Sequence, residues 1–190
     1  MIATPSYTCI KLYTLRTPYY KVLIRRERTT MELVTLLFYP VYLLVTFSFT
    51  LIFIPKKDYK EYFIYGFLFG ALGDVLIVSL FQNVLQIMWF KNMGLFAAWD
   101  QNFLSPASWL TTVMLFLYFF PQKKFFRYPY IFTFSCASVG YGLLVRNADL
   151  FDFRPWLYPY VSFFVFFLWW LCITWIFLKT SSFFNTEKKG

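Results

Sequence analysis

Histidine is missing from the chain altogether. Its absence excludes His-ligated zinc or haem, Ser-His-Asp and Cys-His nucleophilic chemistry, and histidine-based pH switching. Charge is nearly as scarce. Only 14% of the 190 residues are charged while 59% are hydrophobic, too thin a polar shell for a water-soluble domain. Cysteine is limited to Cys9, Cys136 and Cys172, which lack metal-ligand spacing. Cys136 and Cys172 lie in apolar runs, where each reads as a small hydrophobe, so no disulfide framework is implied. The net charge of +9 comes without any RNA- or DNA-binding motif, and its Lys and Arg form short clusters bordering apolar segments. That is the pattern of juxtamembrane anchors, and no nucleic-acid partner is expected. No cofactor or metal set is legible.

What is present is apolar length and aromatic rings, which make up 26% of the chain. Leu33 to Ile54 is a run without charge, long enough as a helix to cross a hydrocarbon core of roughly 30 Å. Pro40 within it is expected to bend the helix, and Pro55 with Lys56, Lys57 and Lys60 to end it. Further runs follow at 62–81, 104–120, 128–145 and 157–178. The third opens on Ser105-Pro106, a good helix start, and is short for a span. Gln82 to Phe103 is mixed, with Lys91 at its centre, and reads as a membrane-surface or re-entrant segment. The expected fold is all-α, a polytopic transmembrane bundle of about five spans over 31–180, followed by a polar tail at 181–190. Trp89, Trp99, Trp156 and Tyr158 on one side, and Tyr59, Tyr62, Tyr128 and Tyr130 on the other, are expected to form two interfacial belts.

With five spans, Lys56, Lys57, Lys60, Lys123, Lys124, Arg127, Lys179, Lys188 and Lys189 share one side. Only Lys91, Arg146 and Arg154 occupy the other, if residues 1–30 are set aside. The positive-inside rule then predicts a cell-membrane protein with a cytoplasmic C-terminus. The basic segment 1–30 cancels this preference through Lys11, Arg16, Lys21, Arg25, Arg26 and Arg28. The expectation is that the mature chain starts at Met31. The alternative is a cytoplasmic basic arm binding anionic lipid heads, paired with an even number of spans.

Asp74 is the only Asp, Glu, Lys or Arg inside these apolar runs, and a charge at that depth costs roughly 2.5–3.5 kcal/mol. Gly66, Gly70 and Asp74 are spaced four apart on one helical face, and Gly66-x-x-x-Gly70 is a close-packing motif, so Asp74 should point into the bundle. It reads as a packing acid or as an intramembrane proton or cation site. Thr111, Thr112, Ser138, Tyr141 or Arg146 are its expected partners. Ser135, Ser138 and Gly142 form a small-residue stripe expected to complement the glycine face of the second span. The loop carrying Arg146, Asp149, Asp152 and Arg154 balances two acids with two bases, which suggests internal ion pairs or an external ligand loop.

Gly70-Ala-Leu-Gly73-Asp74, Leu104-Ser-Pro-Ala-Ser-Trp109 and the Phe120-Pro121 stop are similar to small uncharacterised multi-pass membrane proteins of spore-forming Gram-positive bacteria. The resemblance covers about residues 31–180. It implies a length near that of a chain starting at Met31 and carries over no activity. Function is expected to be non-enzymatic: a structural or complex-forming component with the lipid bilayer, a membrane-protein partner or a second copy of itself as partners. The alternative is a small transporter or channel using Asp74 and the polar Gln82, Asn83 and Gln86. An enzyme would have to draw on Asp74, Asp100, Asp149 or Asp152 and is the weakest reading.

Overall fold

Backbone N–H and C=O groups find no water in a lipid interior, so apolar runs of this length satisfy them by coiling on themselves. In the computed structural model, which describes residues 18–92, 96–98 and 101–185, they form five apolar helices. Helix α1 is Pro18–Phe53 and passes through Pro40 unbroken. Helix α2 is Lys56–Val84, with π turns at Gly66–Ala71 and Leu80–Val84. Helix α3 is Leu104–Tyr118, α4 is Lys124–Asn147 and α5 is Tyr160–Thr180. A short α6, Ser182–Asn185, ends the described chain. Four of the helices, with Leu33–Phe53 as the apolar part of α1, are long and apolar enough to cross a membrane. The 15 residues of α3 rise only about 22 Å. The chain is an all-α bundle of transmembrane type.

Several details differ from the sequence reading. The Lys56, Lys57 and Lys60 cluster lies on the first turns of α2 and not in a loop. The stretch 82–103 is largely extended beyond α2: β1 (Met88–Phe90) follows, then β2 (Ala97–Ala98) and β3 (Gln101–Asn102), which pair with each other. Asp100 and Trp99 lie outside the described residues, as do residues 1–17, while 18–30 continue α1 as helix. Of the polar tail at 181–190, residues 181–185 are described, and its first residues pack against the bundle. Ser181 is fully buried and its hydroxyl donates to Glu61 Oε1 at 2.8 Å, while Tyr65 and Thr180 bond at 2.7 Å. These contacts bring the start of α2 and the end of α5 to one end of the bundle. The expected belts are partial: Trp89, Trp156 and Tyr128 are exposed, but Tyr62 is buried, Tyr130 donates inward to the Phe116 carbonyl, and Tyr158 stacks on Phe153.

The glycine face of α2 meets α3. A Cβ at Gly70 would lie 2.5 Å from the Trp109 carbonyl oxygen, and one at Gly66 would lie 2.7 Å from that of Leu110. Only hydrogen fits there. The expected pairing of this face with the Ser138–Gly142 stripe of α4 is therefore corrected: van der Waals contact between backbones selects α3. Ser138 instead accepts a 3.0 Å hydrogen bond from Trp170 Nε1 of α5. Gly142 makes room for the Tyr158 hydroxyl. On the other side of α3, hydroxyl pairs Tyr42–Thr112 at 2.9 Å and Thr46–Thr111 at 2.7 Å tie it to α1. Each such bond contributes about 0.6 kcal/mol in a membrane bundle.

At the opposite end from Glu61, the loop after α4 closes the bundle. Strand β4 (Phe151–Phe153) pairs antiparallel with β1 in the register Met88↔Phe153, Trp89↔Asp152, Phe90↔Phe151. Side chains alternate across a strand, so Phe151 and Phe153 turn into the protein while Asp152 turns out. The ribbon is a roof with an aromatic underside and a charged top.

Candidate functional site

Beneath the roof lies a cavity of about 430 Å³ between α2, α3, α4 and α5. Its ceiling is the underside of the ribbon, Met88, Phe90, Phe151 and Phe153. Its walls are largely aromatic and aliphatic, and among the described lining residues there is no Lys or Arg. Cavities of this size, mostly apolar with a few convergent polar groups, are the usual form of a small-molecule site.

Asp74 supplies the charge-bearing group. The wide π turn at Gly66–Ala71 and the contact of Gly70 with α3 place it one turn further along the same face, opposite Ser105. As a residue it is half-buried because it borders the cavity, yet its Oδ2 is closed off and has no hydrogen-bond partner. Ser105 also faces Tyr39 of α1, which lines the same space. Tyr141 of α4 brings a second buried oxygen without a partner to the cavity wall. Buried polar atoms are nearly always paired, so two orphans on one cavity wall call for an explanation.

The partners expected for Asp74 are mostly engaged elsewhere. Thr111 and Thr112 bond to α1, Ser138 bonds to Trp170, and Arg146 reaches Asp152 on the roof. Of that set only Tyr141 lies near Asp74 in the cavity, through their shared electrostatic field. Ser105 and Tyr39 were not singled out from sequence. Ser105 reads as a helix start, although α3 begins one residue earlier at Leu104, and Tyr39 lies in an uncharged apolar run with no local signal of its position. Of the polar trio, the Gln82 side-chain Oε1 accepts from the Phe90 N–H, while Gln86 offers its backbone carbonyl to Arg154.

The roof charges form a clamp between two loops. Lys91 Nζ donates to Asp152 Oδ2 at 2.8 Å and lies 3.9 Å from Asp149, while Arg146 Nε lies 3.2 Å from the other Asp152 oxygen. Arg146–Asp152 is an ion pair internal to the loop, as expected, but Arg154 bonds a backbone carbonyl and the other cation that meets the two acids, Lys91, comes from the other loop. Chiefly because Lys91 bonds to it, the Asp152 carboxyl titrates below the usual carboxylate range. A depressed value contributes stability at neutral pH and loses it as pH falls through the folded-state value. Hydrogen-exchange protection of the β1 and β4 amides, taken relative to the intrinsic rate at each pH, is therefore expected to fall below about pH 4. The Lys91→Ala variant, lacking the clamp, should show that reduced protection already at neutral pH.

No family model matches the chain, and no curated protein or solved structure is similar enough to match it.

Proposed function

We propose that this chain is a non-enzymatic cell-membrane component that binds an apolar small molecule in the chamber beneath the ribbon. The observation that carries the reading is the pairing of an apolar space of about 430 Å³ with a buried, unpartnered Asp74 oxygen on its wall. A packing acid would use that oxygen in an interhelical bond; a site acid holds it for a guest. The absence of histidine supports a binding role over a catalytic one.

The roof is assigned to the external face and the C-terminus to the cytoplasm. Support comes from Lys and Arg clustering at the Glu61 end: Lys56, Lys57, Lys60, Lys123, Lys124, Arg127 and Lys179. On this assignment the guest is held near the outer leaflet.

Photolabelling in phosphatidylcholine nanodiscs with a diazirine-bearing decanol tests the reading. Saturable labelling of ceiling or wall residues such as Met88 and Trp169, competed by excess decanol, is expected. Unsaturable labelling spread over lipid-facing residues such as Leu44 and Leu76 would defeat it. Proton flux in proteoliposomes that Asp74→Asn abolishes would replace binding by transport.

A further inference from the structure

Resting on the binding role just described, the geometry points to the chemical class of guest and its route: an amphiphile with a single cationic nitrogen and no anionic group, taken up sideways from the lipid. Three features of the chamber converge on this. The first is what faces Asp74. An ionised carboxylate is an acceptor only, and an ammonium is a donor only, so the two are complementary. Among the described residues Ser105 is the one side chain that bonds toward Asp74, and a hydroxyl supplies a hydrogen bond but no charge. Lys91, Arg146 and Arg154, the cations of the roof, are committed to Asp152, Asp149 and the Gln86 carbonyl on its outer side. The compensating charge is left for the guest to bring.

The second feature is the wall. Trp109, Trp169 and Phe166 line the space together with the ceiling phenylalanines, and aromatic faces attract alkylammonium groups. A phosphate or carboxylate head would meet Asp74 with no basic residue to neutralise it, which excludes ordinary phospholipids and fatty acids. The orphaned Tyr141 hydroxyl accepts one further N–H from the same head. At about 30 Å³ for each water-sized group, the volume holds roughly fourteen of them, the size of a medium-chain amine.

The third feature is the opening. Leu168 and Cys172 of α5 line the chamber, yet Leu168 is 65% exposed and Cys172 is exposed as well. Residues that face both the chamber and the outer surface of the bundle mark a gap beside α5, on the side of α2 that carries Ile77. A guest dissolved in the bilayer reaches Asp74 through that gap without displacing the roof.

Competition against the diazirine-decanol label in phosphatidylcholine nanodiscs tests the inference, with decylamine, decanol and decanoic acid compared at equal membrane mole fraction. Decylamine is expected to displace the label at a concentration about tenfold lower than decanol, since charge-assisted bonds are the stronger ones. Decanoic acid should displace it least. Asp74→Asn should bring decylamine to the potency of decanol, whereas Gly140→Ala, outside the chamber and with open space for a Cβ, should keep both saturable labelling and the tenfold preference for the amine. Equal potency of amine and alcohol on the wild type overturns the cationic class and leaves the binding role standing. Loss of saturable labelling in the wild type overturns both. For the route, decylamine should slow alkylation of Cys172 by a membrane-soluble maleimide and leave Cys136 unaffected; equal rates with and without decylamine overturn the lateral opening.

Discussion

Replacing Trp170 with alanine is expected to cost about 3–5 kcal/mol and to be the most damaging single truncation in the bundle. The indole is fully buried, and its ring centroid lies 4.2 Å from Phe116 and 5.7 Å from Phe134. Lipid offers apolar side chains almost as good an environment as the protein does, so hydrophobic transfer contributes little to this figure. The loss comes from dispersion contacts that no neighbouring group can restore, because α3, α4 and α5 are each anchored elsewhere. Unfolding in mixed micelles, followed by tryptophan fluorescence of the remaining indoles, measures it. The Trp170→Phe variant separates the parts. It keeps much of the volume and loses only the bond to Ser138, so it should cost far less, with about 0.6 kcal/mol assigned to the hydrogen bond.

Gly70→Ala is the second large effect, and it works by intrusion where the first works by removal. The new methyl would sit 2.5 Å from the Trp109 carbonyl oxygen and 2.6 Å from the Leu110 backbone, neither of which is the flexible end of a side chain. The α2–α3 interface must open. A cost of about 1–3 kcal/mol is expected from overpacking of this kind. Because Asp74 stands one turn beyond Gly70 on the same face, opening that interface also moves the carboxyl relative to Ser105. Gly70→Ala should therefore weaken binding of the diazirine-decanol label as well as stability. Gly140→Ala is the control, since a Cβ there would meet nothing within 4 Å. Helix propensity favours alanine over glycine, so Gly140→Ala should hold or slightly raise stability, and an equal loss in both variants would show that the effect at Gly70 does not come from the α2–α3 interface.

The two interfaces differ in how readable they are. That Gly66 and Gly70 face a neighbouring helix follows from their spacing, because four residues make about one turn and small side chains permit close approach. Which helix they face does not follow. Both α3 and α4 offer small residues, Ser105 and Ser108 on one and Ser135 and Ser138 on the other, and the regular stripe of Ser135, Ser138 and Gly142 favours α4 where the backbone contacts select α3. Asp74 shows the same division. Its inward orientation is implied by the glycines, but the lack of a partner at its Oδ2 depends on where Thr111, Thr112, Ser138 and Arg146 spend their own hydrogen bonds.

The roof carries no local signature in the sequence. Phe151-Asp152-Phe153 has the alternation of a strand, but three residues are too few to separate a strand from a loop by period. Its partner β1 is about sixty positions away, and Lys91 pairs with Asp152 across that gap. Nothing local announces such a pairing. It forms because the helices before and after bring both loops to one end of the bundle, where their unpaired backbone groups satisfy each other.

By itself the sequence determined that this chain is a bundle of apolar helices, because each run satisfies its own backbone and needs no knowledge of its neighbours to coil. Tertiary structure alone decided that α3 lies on the glycine face, that two loops close as a ribbon, and that a chamber with an unpartnered carboxyl lies beneath it. The physical reason is range: helix formation is settled over a turn or two of chain. Which surfaces fit without voids, and which polar atoms are left over, is settled only when every helix competes for the same space.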